Sequence, residues 1–289
     1  MDLHWRWSDL TSCLHACRAL LDSQPFEDPD LAKAIQESAV GVSCALAQAG
    51  VDGPVFWEHV IPLSGINTSL RFVVSVSLIK TMGQAKGEVE LPEVHAAMTE
   101  LWNTWKRKHG RPADVLPSLT AIQRSWNTIG RRVVHRIGEL LEPGVLVEEA
   151  TVIGLLPLLG GHGSAYLPYN AVTVEILNSD SKTDFREALR LCWLLVQLNL
   201  DLPAFSEAIH RERLPRAAAC AMIPVVKTAA NDLKIEGLTS AQLDKAVESW
   251  LPAPPNQELP ACLAEWWDSY RLDHPNFAVA LQALDRMLN

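Results

Sequence analysis

ATVIGLLPLLGGHGSAYLPYNAVTV, residues 150–174, is the longest run in this chain without Asp, Glu, Lys or Arg. Gly154, Pro157, Gly160, Gly161, Gly163 and Pro168 interrupt it. Such breaks free backbone groups that find no partner in lipid, so the run is not a membrane span. An isolated Glu175 follows, among Val172, Val174, Ile176 and Leu177, and then a dense helical pattern over Thr183–Asn199. Outward from here, the expectation is that this region forms the central helices of a mostly helical protein.

The flanking sequence supports helices. Leu10, Leu14, Cys17, Leu20 and Leu21 recur at helical spacing after a capping Ser8 or Asp9. Leu31, Ile35, Val42 and Leu46 follow after Asp30 and end at Gly50. A short helix is expected over Pro54–Val60, stopping at Pro62, and another from Pro92 along Val94, Met98, Leu101, Trp102 and Trp105. One long helix is expected from Val115 to Leu141, ended by Glu142-Pro143-Gly144. Further helices are read over Pro203–His210, Pro215–Leu233, Thr239–Trp250, Leu259–Leu272 and Pro275–Leu288. Leu70–Ile79 reads two ways: Phe72, Val74, Val76 and Leu78 alternate like a strand, whereas Leu70, Val74, Ser77 and Leu78 fit a helix after a capping Asn67-Thr68-Ser69. The helix is preferred because its surroundings are helical. The expected class is therefore all-α, a compact multi-helix domain; the alternative is α+β, should 70–79 and 172–177 be strands. A main domain over 1–250, a Pro-rich linker at 251–257 and a docked C-terminal hairpin over 258–289 complete the expected organisation.

Composition sets the outer limits. Apolar residues are 48% and charged residues 20% of 289, ordinary for a globular chain able to bury a core. The net charge of -9 argues against a surface dedicated to nucleic acid. No secretory signal is read at the start and no apolar run reaches the roughly 20 residues of a spanning helix, so the expectation is a soluble, cytoplasmic protein with no membrane partner. The six cysteines contain no Cys-x-x-Cys pair and read as buried thiols of a reducing compartment.

Functional candidates are few. Across Thr183–Asn199, apolar residues cover most of the helix and leave a narrow ridge of Arg186, Arg190, Trp193 and Gln197. A carboxylate at Glu175 needs a partner, because an unpaired buried charge is expensive. In the structural reading, Glu175 or Glu187 pairs with Arg186 or Arg190. In the functional one, His162, Glu175, Arg186 and Arg190 line a pocket for a small anion, with the Gly160–Gly163 loop lending backbone amides and the arginines a guanidinium clamp. The loop lacks the Lys-Ser/Thr of a phosphate loop and reads as following a helix, so it carries no nucleotide signature. No nucleophile motif accompanies His162, and no catalytic residue is assigned. Glu207 and His210 make the sole Glu-x-x-His, too little for a di-metal bundle, so no metal and no cofactor are expected.

Between Asn103 and Arg136 there are eight Lys or Arg against one acid. Lys106, Arg107, Lys108, Arg124, Arg131 and Arg132 are thus candidates for an interaction surface, better matched to an acidic protein than to nucleic acid. Ten tryptophans add to the case for interfaces. The expected function is a non-catalytic binding, adaptor or assembly protein whose partner is another protein or a second copy. The alternative is a small-anion-binding enzyme or sensor using the Gly160–Gly163 loop and the Arg186/Arg190 helix.

Overall fold

The computed structural model describes residues 1–108, 115–176, 185–235, 250 and 258–289. The chain is predominantly helical, and a small four-stranded mixed sheet corrects the all-α expectation. Its strands are β1 (Asp2–Trp7), β2 (Glu149–Leu155), β3 (Gly163–Tyr166) and β4 (Ala171–Glu175), in the order β1-β2-β4-β3. β2 runs parallel to both β1 and β4, and β3 closes the sheet antiparallel to β4.

β2, β3 and β4 fall within 149–175, the uncharged run and the glutamates that flank it, where helix is the expectation. For β2 and β4 the reason is burial on both sides. Ile153 packs against Gly65 of α3 (Gly53–Ile66), while Gly154 on the opposite face meets Ile176 and Leu119. Every residue of β4 is buried. A strand covered on both faces loses the alternation that marks it and reads as a continuous apolar run. β1 is different: His4 and Arg6 face solvent while Leu3, Trp5 and Trp7 are half-buried, an alternation only six residues long.

The N-terminal helices largely follow their patterns. α1 (Asp9–Leu21) is capped by Ser8, whose hydroxyl accepts from Thr11 N. α2 (Pro29–Gln48) is capped two residues before the expected Asp30, with Asp28 accepting from Asp30 N and Leu31 N. α4 (Leu70–Met82) resolves the ambiguous segment as a helix. Ser69 caps it, and Val73, Val74, Ser77 and Leu78 form its buried face while Phe72 is exposed. Prolines prove poorer boundaries than expected: α3 runs through Pro62 to Ile66, and α5 (Gln84–Lys108) carries Pro92 inside. α2, α4 and α5 pack together, and α3 sits on the sheet.

The expected long helix is continuous but not uniform. α6 (Val115–Ser125) passes through a π-helical turn, Trp126–Gly130, into α7 (Arg131–Leu140). A side chain at Gly130 would strike the indole of Trp126, so the glycine lets that turn close over the buried ring. α8 (Phe185–Leu195), the short α9 (Pro203–Ser206) and α10 (Leu214–Asp232) follow. The chain ends in α11 (Leu259–Asp273) and α12 (Phe277–Met287), which both pack on α10; Trp267 Nε1 donates to Thr228 Oγ1 at 2.8 Å. The linker expected at 251–257 and most of the helix expected at 239–250 lie outside the described residues.

Candidate functional site

The C-terminal end of β4 holds Glu175, completely buried. Its carboxylate is ringed by donors. His15 Nε2 lies 3.1 Å from Oε1; the amides of Gly161 and His162 donate to Oε2 at 2.9 and 3.1 Å; and Leu159 N reaches both oxygens. The loop Leu156–His162 therefore wraps an anion, as the glycine-rich composition suggested, but the anion is a side chain of the same protein. Gly160 and Gly161 adopt φ of +79° and +105°, the left-handed region that turns consecutive amides inward to form an anion-holding concavity. The loop also follows a strand, β2, and not the helix expected from sequence. Ser12 fastens it to α1 by accepting from Leu156 N at 3.2 Å.

Burial by itself would raise the pKa of Glu175, but the His15 bond and charge and the loop amides outweigh it and hold the carboxyl below its ordinary value. Arg190 completes the arrangement from α8. Its Nη2 donates to the backbone oxygen of Glu175 at 3.0 Å and to the Glu187 carboxylate. Of the pairings expected from sequence, Glu187–Arg190 forms; Glu175 meets Arg190 through its carbonyl while its carboxylate takes His15. Arg190 is 5% exposed, and among the described residues its Nε has no hydrogen-bond partner. The supposed polar ridge of α8 is thus mostly interior: Trp193 and Gln197 are buried too, and only Arg186 is exposed.

Beside this network a cleft of about 1200 Å³ runs between α1, β3, α8 and the start of α10. His15, Arg18, His162, Arg190, Arg211 and Arg216 bring positive or protonatable groups to it, and Asp22, Glu58, Asp201 and Glu258 bring acids. Arg18 is paired with Asp22 at 3.4 Å. Trp193 stacks on Trp250 at 5.4 Å along the same cleft. Of the four ligand candidates from sequence, His162 and Arg190 line the cleft, Glu175 lies behind them, and Arg186 is not among its residues. His15, Arg18, Arg211 and Arg216 were missed. Their only sequence signal is that His15 and Arg18 stand three apart on one helix, and nothing in the spacing links them to a strand some 160 residues later.

Just before the start of β4, the Tyr169 hydroxyl is 2.8 Å from His59 Nδ1 and Lys80 Nζ sits 5.6 Å above the tyrosine ring. Burial, with Lys80 and Arg211 nearby, lowers the pKa of His59; burial, with the adjacent Glu58 charge, pushes Tyr169 up to about 12. His162 is lowered as well, by burial first and by His15 and Arg190, against the pull of Glu175. A histidine whose folded pKa lies below its ordinary 6.5 binds its proton more weakly in the native state, so its contribution to stability is present above that value and is lost as pH falls through it. The melting temperature is therefore expected to decline as pH drops from 7 through 6.5, with two imidazoles titrating below 6.5 by NMR. Glu58 and Asp201, raised by burial, oppose this trend only nearer their own ordinary values of 4.5 and 3.8. A melting temperature that rises over that first interval would contradict the assignment.

Lys106, Arg107, Lys108, Arg124, Arg131 and Arg132 are all exposed, on the end of α5 and along α6 and α7. Lys106 stacks over Trp102 at 5.3 Å and Arg107 donates to Thr104. Among the described residues, no three His, Cys, Asp or Glu side chains converge as a metal-holding group, and no helix is long and apolar enough to cross a membrane. Cys13, Cys17, Cys192 and Cys220 are buried, and burial pushes their thiols up, away from the reactive thiolate. Comparison of the chain with protein-family models, with curated protein sequences and with solved structures finds no match in any of the three.

Proposed function

We propose that this is a binding protein that takes an anionic part of another protein into the cleft beside β3. The observation that carries this reading is Arg190: a buried guanidinium lining a large cleft, with one donor left without an acceptor among the described residues. An unmade bond at a buried charged donor costs free energy that a ligand acceptor recovers. Arg211 and Arg216 supply further guanidinium forks, the geometry suited to carboxylates, and Arg18, paired with Asp22, adds positive charge beside them. The loop amides are already taken by Glu175, so the arginines, and not the Gly160–Gly163 loop, are the anion's partners. The cleft exceeds the roughly 300–1,000 Å³ of a typical small-molecule site, which favours a segment of a macromolecule over a small anion. A cytoplasmic setting belongs to the same proposal, supported by the buried, unpaired thiols.

The test uses isothermal titration with three probes: inorganic phosphate, succinate and a glutamate-rich oligopeptide. The oligopeptide is expected to bind most tightly. The double substitution Arg211→Ala/Arg216→Ala, at exposed positions that leave the core intact, is expected to weaken it at least about tenfold, since each charged hydrogen bond contributes roughly 1.5–3 kcal/mol. Equal binding by the double variant, or no heat from any probe, would remove the cleft from consideration.

A further inference from the structure

The cleft contains a feature that its arginines do not account for. β3 is an edge strand, and its residues Gly163, Ser164 and Ala165 line the cleft half-buried. Glu175 N donates to His162 O at 2.8 Å, which makes 162 and 175 a hydrogen-bonded pair of the antiparallel ladder. The register pairs Ser164 with Thr173 and Tyr166 with Ala171, and hydrogen-bonded pairs alternate along such a ladder. Gly163 and Ala165 therefore turn their N–H and C=O groups away from β4. Neither makes a backbone hydrogen bond outside the sheet among the described residues. Exposed strand edges are ordinarily blunted, and this one instead lines a cleft between α1 and α8.

Resting on the binding function proposed above, we infer that the ligand is an extended acidic peptide segment of a partner protein, which adds to β3 as a fifth strand. Two donors and two acceptors on alternate residues match an extended main chain, and strand addition of this kind draws its affinity from the backbone and its specificity from flanking side chains. The charges sit where such a segment needs them. Arg18 lies beside Tyr166 at one end of β3, and Arg190 lies beside His162 at the other. Acidic residues of the segment meet these guanidiniums, and Arg190 Nε, without an acceptor among the described residues, gains a carboxylate or main-chain oxygen.

Ala165→Pro tests the inference directly. Proline removes the outward N–H of an edge strand without removing any bond to β4, a position where it is tolerated. The probes are fluorescein-labelled hexapeptides alternating Glu with Val, Thr or Phe, alongside the same peptides N-methylated at odd or at even amides. The wild-type chain is expected to bind the unmodified peptides, to lose at least tenfold for one methylation pattern and to tolerate the other. Ala165→Pro is expected to lose the same binding while keeping its melting temperature. Should that variant not fold, the two methylation patterns on the wild-type chain decide alone. Equal binding of both patterns, or no binding of any hexapeptide, overturns strand addition. If Ala165→Pro and both patterns leave affinity unchanged while Arg211→Ala/Arg216→Ala abolishes it, the cleft stands and only the strand is wrong. If the double variant is also silent, both fall.

Discussion

Replacing Glu175 by alanine is expected to destabilise the protein by about 3–5 kcal/mol, the range for removing one partner of a buried charged network. The substitution deletes the acceptor for Leu159, Gly161 and His162 and leaves His15 without its carboxylate. Each of these groups is then buried or half-buried with its bond unmade, and that desolvation cost sets the size of the effect. Glu175→Gln is expected to lose most of the same stability, because its amide nitrogen presents donors to donors. Chemical denaturation gives the free energy, and hydrogen exchange at the amides of Leu159, Gly161 and His162 locates it, with protection collapsing in the variant. A loss below about 1 kcal/mol, with protection retained, would mean the loop amides find other acceptors. The wild-type network should also carry its own acid limit. Its carboxyl is held below the ordinary 4.5, so the stability it contributes is present above that value and is lost as pH falls through the folded pKa.

Trp105→Ala is expected to cost a similar amount, about 3–5 kcal/mol, for a different reason. Trp105 is fully buried near the end of α5, where its ring fills space between α5 and α1 and its Nε1 donates to Asp9 at 3.1 Å. Alanine leaves a cavity that close-packed helices fill only in part. Trp105→Phe keeps most of the ring volume and removes the bond, so its smaller loss separates packing from the Asp9 contact. Both are read from the denaturation midpoint at unchanged slope. A loss from alanine no larger than that from phenylalanine would show that the Asp9 bond, not the ring, anchors α1. Since α1 carries His15 and Arg18, either result also states how firmly the cleft is held.

Much of the helical framework was legible because its physics is local. A cap such as Ser8 or Ser69, followed by apolar residues at helical spacing, specifies α1 and α4 from within a few turns of chain. The alternation of Phe72, Val74, Val76 and Leu78 gave way because capping and the buried face of Val73, Val74, Ser77 and Leu78 favour the helix once neighbouring helices cover it. The sheet was not legible for the converse reason. β2 and β4 are covered on both faces, so their sequences carry no period to read, and β1 joins them only after the whole of α1–α7 has intervened.

The same division holds at the site. The requirement that Glu175 have a partner could be stated from the sequence, because a charge surrounded by Val172, Val174 and Ile176 must be compensated wherever it lies. So could the capacity of Gly160 and Gly161 to turn amides toward an anion. The partners themselves, His15 from α1 and the loop amides, and the cleft formed by Arg18, Arg190, Arg211 and Arg216, were decided by tertiary structure alone. Those groups come from segments far apart along the chain, and only the packing of α1 and α8 beside the sheet brings them together around Glu175 and the cleft.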